Sequence, residues 1–255
     1  MPRLKYTIGA DPELWVDPGT LSNLPGLEGA FGRDNCNRIA ELRPAQDLDP
    51  LEVVKNIRRI LCNEVQAKDI PEDLVKTWCA GSVAHGDALG GHIHFGKQSL
   101  RNDGYFVRFL DYNLAPILIK LEDNYNARMR RKKQYGQPGD HRNQVYGVEY
   151  RTPASWLVSE DMATGVLCLA GLIGQSYIDN PTQMDSTPYN EHCQKIKGMA
   201  PGDLRSLALD AIERVKAMPN YPDYKDMLDM LFKYVRLNWT WFPGVHFSKA
   251  WRLYV

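Results

Sequence analysis

Four segments of this chain each place two ionisable groups two residues apart in otherwise apolar, alternating surroundings. They are Asp11 and Glu13 in ADPELWV, Glu41 and Arg43 in IAELRP, His92 and His94 in GGHIHFG, and Glu149 and Arg151 in VEYRTP. In a strand, residues i and i+2 share a face, so Leu42, Ile93, Phe95 and Tyr150 fall on the opposite one. The pattern predicts an α+β fold: a curved, mainly antiparallel sheet with a polar concave face, and helices packed on its convex, apolar face. One such strand is an ordinary solvated strand. Four are harder to explain that way, because the set holds three Glu, two His, two Arg and one Asp, with none of the Lys, Ser, Thr or Gln that usually cover a solvated sheet.

Carboxylates and imidazoles ligate divalent ions, and Arg forks onto phosphate. Carboxylates crowded on one face repel unless a cation sits among them. The selection therefore points to a divalent-metal site that handles phosphate. A rival reading builds a zinc site on His92 and His94, with His85 or Glu13 as third ligand, in a metal-dependent hydrolase that uses no nucleotide. A third reading, an inactive binding or structural protein, is disfavoured because all four strands keep ligand-type residues. Gly91 to Lys97 also fits G-x-x-x-x-G-K, but Gln98 stands where a phosphate loop needs Ser or Thr, and no buried apolar strand precedes it.

The 255 residues read as one domain, with a motif-bearing sheet core over about 1–156 and a helical part over 157–255. Leu4 to Val16 reads as a strand broken at the DP step, Pro18 to Arg33 as a loop, and Arg38 to Arg43 as a short strand. Asp49 and Pro50 form a helix start before the periodic run LEVVKNIRRILCNEV. Thr77 to His85 is a candidate strand. Asn102 to Asp123 reads as a helix kinked at Pro116. RMRRKKQYGQPGDHR reads as a basic loop, and Gln144 to Pro153 as a strand. Ser159 caps a helix running to about Tyr177, and further helices cover Asp203 to Met218 and Tyr224 to Asn238. The aromatic tail NWTWFPGVHFSKAWRLYV is expected to pack down.

The 31 Lys and Arg balance 31 Asp and Glu, which removes the simplest argument for a nucleic-acid or membrane-surface partner while still allowing a local basic patch. No apolar stretch is read as a membrane span. Five dispersed cysteines, Cys36, Cys62, Cys79, Cys168 and Cys193, fit a reducing cytoplasm rather than a disulfide framework. The basic run (Arg128, Arg130, Arg131, Lys132, Lys133, Arg142) is either a solvated surface or a clamp for an anionic nucleotide.

In this order, ADPELWV, GRDN…IAELRP, GGHIHFG, YGQPGDHR and YGVEYRTPASW resemble the phage-type carboxylate–amine ligases, the COOH-NH2 ligase or amidoligase family. That family has a core of the glutamine synthetase / guanidine kinase type. The resemblance covers Ile8 to Trp156. It implies ATP with Mg²⁺ or Mn²⁺, amide formation through an acyl phosphate, and small-molecule or peptide carboxylate and amine substrates. It also implies metal ligands at Asp11, Glu13, Glu41, His92 and Glu149, with Asp34 a further candidate. His94, Arg131 and Arg142 would contact the nucleotide, and Glu149, Arg142 and Arg151 would act at the reacting groups. Gly147 departs from the family pattern, since it stands where an Arg is usual, and Arg142 is the expected replacement.

Overall fold

A computed structural model describes residues 3–26, 29–34, 39–183, 185–198, 204–241 and 246–254. Cys36, and with it Asn35 and Arg38 of the GRDN and strand motifs, lies outside the described residues.

The strands are β1 (Thr7–Leu14), β2 (Phe31–Arg33), β3 (Ala40–Leu42), β4 (Val83–Ala84), β5 (Asp87–Ala88), β6 (Gly91–Gly96), β7 (His141–Gln144) and β8 (Gly147–Tyr150). Six form one open antiparallel sheet in the order β2-β3-β1-β6-β8-β7, and β4 and β5 form a separate ribbon. The helices are α1 (Pro18–Ser22), α2 (Pro50–Ala67), α3 (Glu72–Val75), α4 (Gly104–Asn113), α5 (Ala115–Leu121), α6 (Asn124–Lys132), α7 (Glu160–Asp179), α8 (Ser186–Gly198), α9 (Arg205–Lys216), α10 (Lys225–Arg236) and α11 (Phe247–Ala250).

The alternation in the sequence is the alternation in the sheet. Ile8, Leu14, Leu42, Ile93, Phe95, Val148 and Tyr150 are fully buried in the main core. Helices α2 and α7 supply the facing layer. α2 starts as its sequence dictates: Asp49 accepts the Leu51 N–H at 2.9 Å, Pro50 opens the first turn, and Val53, Ile57, Leu61 and Val65 form the buried stripe. α7 starts at Ser159, whose Oγ accepts from Met162 N at 3.1 Å. By length and composition α7 could cross a membrane, contrary to the sequence reading, but 78% of its apolar window is buried inside the protein as a core helix.

Several local expectations are corrected. β1 runs through Pro12 unbroken. Glu13 N donates to Gly90 O at 2.8 Å, so the alternate residue Pro12 directs its nitrogen away from β6, to the side where the β3 ladder has ended. Pro116 splits its segment into α4 and α5 and sits in the first turn of α5, where its missing N–H costs nothing. Thr77 to His85 yields only the two residues of β4, and Pro18 to Arg33 contains α1 and β2. The basic stretch is not one loop: Asp123 caps α6 by accepting from Asn126 N at 2.9 Å, and the helix continues through Lys132. α8 is an element the sequence reading passed over. The tail packs down as expected, with Trp241, Phe247, Trp251 and Leu253 buried and Trp251 Nε1 donating to Leu157 O at 2.7 Å.

Candidate active site

Strand register carries the charged side chains into one row. Glu41 faces Glu13 across β3–β1, Asp11 faces His92 across β1–β6, His94 faces Glu149 across β6–β8, and Glu149 faces Arg142 across β8–β7. The result is a polar cleft of about 510 Å³ that Asp11, Glu13, Asp34, Glu41, His92, Glu149, Arg142 and Arg151 all help to line. His94 stands beside it and touches Asp11.

The tightest cluster is Asp11, His92 and Glu149, whose ligand-type atoms lie within 4.8 Å of one another. His92 Nδ1 is 3.2 Å from Asp11 Oδ1 and 3.8 Å from Glu149 Oε1, and His94 Nε2 is 2.9 Å from Asp11 Oδ1. None of these contacts to Asp11 Oδ1 has hydrogen-bond alignment, although the atom is buried. Burial alone would raise the Asp11 carboxyl, but the two imidazoles outweigh it and hold the group well below the usual carboxylate range. For His94, burial favours the neutral ring and the neighbouring Asp11 reverses that, so its pKa is raised. Glu41 behaves oppositely to Asp11: burial, then the charge of Asp11, push it up to about 8 against the pull of Arg43, its ion-pair partner.

Glu149 is almost fully buried and is oriented by two donors, Arg151 Nη1 at 2.8 Å and Gln144 Nε2 at 2.7 Å. Arg142 Nη1 lies 3.8 Å from Glu149 Oε1 at the edge of the cleft, and its side chain is 62% exposed. Arg142 thus stands beside Glu149 from the neighbouring strand. Gly147 itself has no room for a side chain: at φ +155°, a Cβ would fall 2.1 Å from Phe95 O and 2.9 Å from Lys97 N. Gly147→Ala is therefore expected to destabilise the protein by about 2–4 kcal/mol through backbone strain and overpacking. Chemical denaturation of the two proteins measures it, and an unchanged midpoint would refute it.

Two candidates lie elsewhere. Arg131, expected at a nucleotide, turns away from the cleft because α6 directs it to Glu122, which it holds with both nitrogens at 3.0 and 2.8 Å. His85 occupies the β4–β5 turn at φ +49° and stacks on Trp15 at 3.9 Å, so it does not join the ligand cluster. Three site residues were missed in the sequence. Gln144 orients Glu149, Tyr146 donates to or accepts from His94 Nδ1 at 2.6 Å, and Tyr135 lines the cleft. Tyr135 and Tyr146 do fall in quoted motifs, YGQPG and YGVEY, and their proximity to Gly turns was the available signal.

One face of this α+β sheet thus gathers carboxylates, imidazoles and guanidinium groups into a single cleft. The fold itself is similar to that of a solved structure described as a novel glutamine synthase homolog, at 13% identity and a TM-score of 0.50, covering 99% of this chain and 71% of that one. No curated protein matches the chain. The sequence profile of the family described as phage phiEco32-like COOH.NH2 ligase-type 2 matches residues 8–253, and the chain belongs to that family. The match extends well past Trp156, so the helical third is part of the family's pattern too.

Proposed function

We propose that the chain is an ATP-dependent carboxylate–amine ligase that uses Mg²⁺ or Mn²⁺ and works in the cytoplasm. The observation that carries this is the Asp11–His92–Glu149 cluster lying beside Arg142 and Arg151 on one sheet face. The donor set suits a divalent cation: two carboxylates and an imidazole converge, and a buried carboxylate oxygen of Asp11 lacks an aligned donor. Asp11, His92 and Glu149 would hold the ion, with Glu41 and Asp34 candidates for a second, and a carboxylate-rich set favours Mg²⁺ or Mn²⁺ over Zn²⁺. Bound there, the cation would neutralise charge on the nucleotide phosphates.

In the proposed reaction a substrate carboxylate oxygen attacks the γ-phosphorus of ATP and ADP leaves. The amine then attacks the acyl carbon and gives up a proton, phosphate leaves and the amide remains. A carboxylate nucleophile needs no base, so in the first step the protein's task is positioning and charge neutralisation; in the second a carboxylate of the cleft would take the proton of the incoming ammonium. Arg142 and Arg151 face the cleft and would bind the transferred phosphoryl group. Gln144 and Arg151 hold the Glu149 carboxylate in place. His94, anchored by Tyr146, would contact the nucleotide from the margin. Arg131 has no part in this reading. The four described cysteines are unpaired, in keeping with a reducing compartment.

A screen of carboxylates against amines, read as ADP release with Mg²⁺, tests the proposal. ADP release that needs both substrates is expected. Hydrolysis supported best by Zn²⁺ and indifferent to ATP would replace the ligase with the metal-dependent hydrolase.

A further inference from the structure

Tyr135 enters the cleft from the segment after α6 and joins two of its ionisable groups. Its Oη lies 2.8 Å from His92 Nε2 and 2.8 Å from Glu13 Oε1. Glu13 is held from its other oxygen as well, since Oε2 accepts the Gly90 N–H at 2.5 Å. A phenol has one proton to donate, and a carboxylate only accepts. With that proton on the bond to Glu13, the phenol oxygen is left as an acceptor. His92 Nε2 then carries the hydrogen directed at it. The reverse order would set two acceptors, the phenol oxygen and Glu13 Oε1, against each other at 2.8 Å. With the hydrogen on Nε2, the lone pair is on Nδ1, the nitrogen turned toward Asp11 and Glu149, and a cation held among the three reconciles that lone pair with the two carboxylates.

The surroundings hold Tyr135 in this position. The fully buried Arg130 lays its guanidinium over the Tyr135 ring, 4.6 Å from the centroid, and donates to Thr152 O and Pro153 O at 2.9 Å each. Gly136, at φ +67°, leaves room for that guanidinium: a Cβ there would fall 1.8 Å from Arg130 Nη1. Gly90 leaves room for the contact itself, since a Cβ on it would fall 2.4 Å from His92 Nε2 and 2.5 Å from Tyr135 Oη.

We propose that Tyr135 is a positioning residue of the metal centre. The chain Glu13–Tyr135–His92 fixes the imidazole as its Nε2–H tautomer and aims Nδ1 at the ion. Glu13 then acts on the imidazole through Tyr135. Partners of this kind that orient a ligating histidine commonly govern metal affinity about 10–100-fold. The inference rests on the metal-site reading above and deepens it.

Tyr135→Phe keeps the ring and its stacking and removes only the oxygen. Nitrogen NMR of the histidine rings in the full chain saturated with Mg²⁺ reads directly which ring nitrogen carries the hydrogen. Wild type should show His92 protonated on Nε2, and Y135F should shift it toward Nδ1–H, with His192 and His246 unchanged. A titration with Mn²⁺ alone, followed by electron paramagnetic resonance, should show about 10–100-fold weaker binding in Y135F. Gly90→Ala, which keeps the phenol but separates it from the imidazole, should do the same in both measurements and serves if Y135F does not fold. Wild-type His92 protonated on Nδ1, or Y135F with unchanged tautomer and affinity, overturns the inference alone. Wild type that binds no Mn²⁺ overturns the metal-site reading and the role of Tyr135 with it.

Discussion

Glu149→Gln is expected to lower ADP release by about 10³-fold or more while leaving a folded protein. Its carboxylate meets Asp11 and His92 of the ligand-type cluster, Arg151, Arg142 and Gln144 together. Losing a ligand of an ion that stabilises transition-state charge removes several kcal/mol, and each 1.36 kcal/mol is a factor of ten in rate. The substitution also bears on stability. Glu149 is a buried acceptor for Arg151 at 2.8 Å, and breaking a buried ion pair costs up to about 3–5 kcal/mol. Relief of repulsion with Asp11 opposes this, but Asp11 is already offset by two imidazoles. The melting temperature without metal should therefore fall, and the rise that Mg²⁺ induces in wild type should vanish. Turnover within tenfold of wild type, or a higher melting temperature without metal, would remove Glu149 from the centre of the site.

Arg142→Ala should lower turnover by about 10²–10³-fold, the usual cost of deleting a donor aimed at charge that develops in the transition state. Arg142 is on β7 directly opposite Glu149, helps to line the cleft, and keeps a mostly exposed side chain whose contact to Glu149 is long, at 3.8 Å. Lys132→Ala is the matched control, because Lys132 ends α6 on the exposed surface. Arg131→Ala separates the two outcomes further: it breaks the pair with buried Glu122 and should lower stability more than turnover. ADP release by the three variants decides the matter. Equal, small losses for Arg142→Ala and Lys132→Ala would show that Arg142 is a solvated surface charge with no part in turnover.

The placement of Arg131 shows why part of the site was hidden. Arg131 and Arg142 are both cations in one basic stretch, and composition treats them alike. The break between them comes at the end of α6, where Gly136 and Gly139 take positive φ and turn the chain from helix into the β7 hairpin. Before that break a cation faces the helix's own surroundings; after it, one faces the cleft. Tyr135, at the break, was inconspicuous for the same reason: its partners Glu13 and His92 are 122 and 43 residues away.

What the sequence by itself determined is the set of local alternations: which residues of β1, β3, β6 and β8 share the polar face, which fall into the core, and where Asp49 and Ser159 start helices. These follow from backbone geometry within a few residues, with a period of 2 along a strand and about 3.6 along a helix. Only the tertiary structure decided the strand order β2-β3-β1-β6-β8-β7 and the registers that set Asp11 beside His92 and Arg142 beside Glu149. A register slip of one residue would have sent every one of these charges into the core. The physical reason is that pairing across a sheet depends on how the intervening segments close and pack. Between β1, β6 and β8 those segments span tens of residues, and of these two registers only that of β7 and β8 is closed by a short turn, whereas a side chain's face depends only on its neighbours.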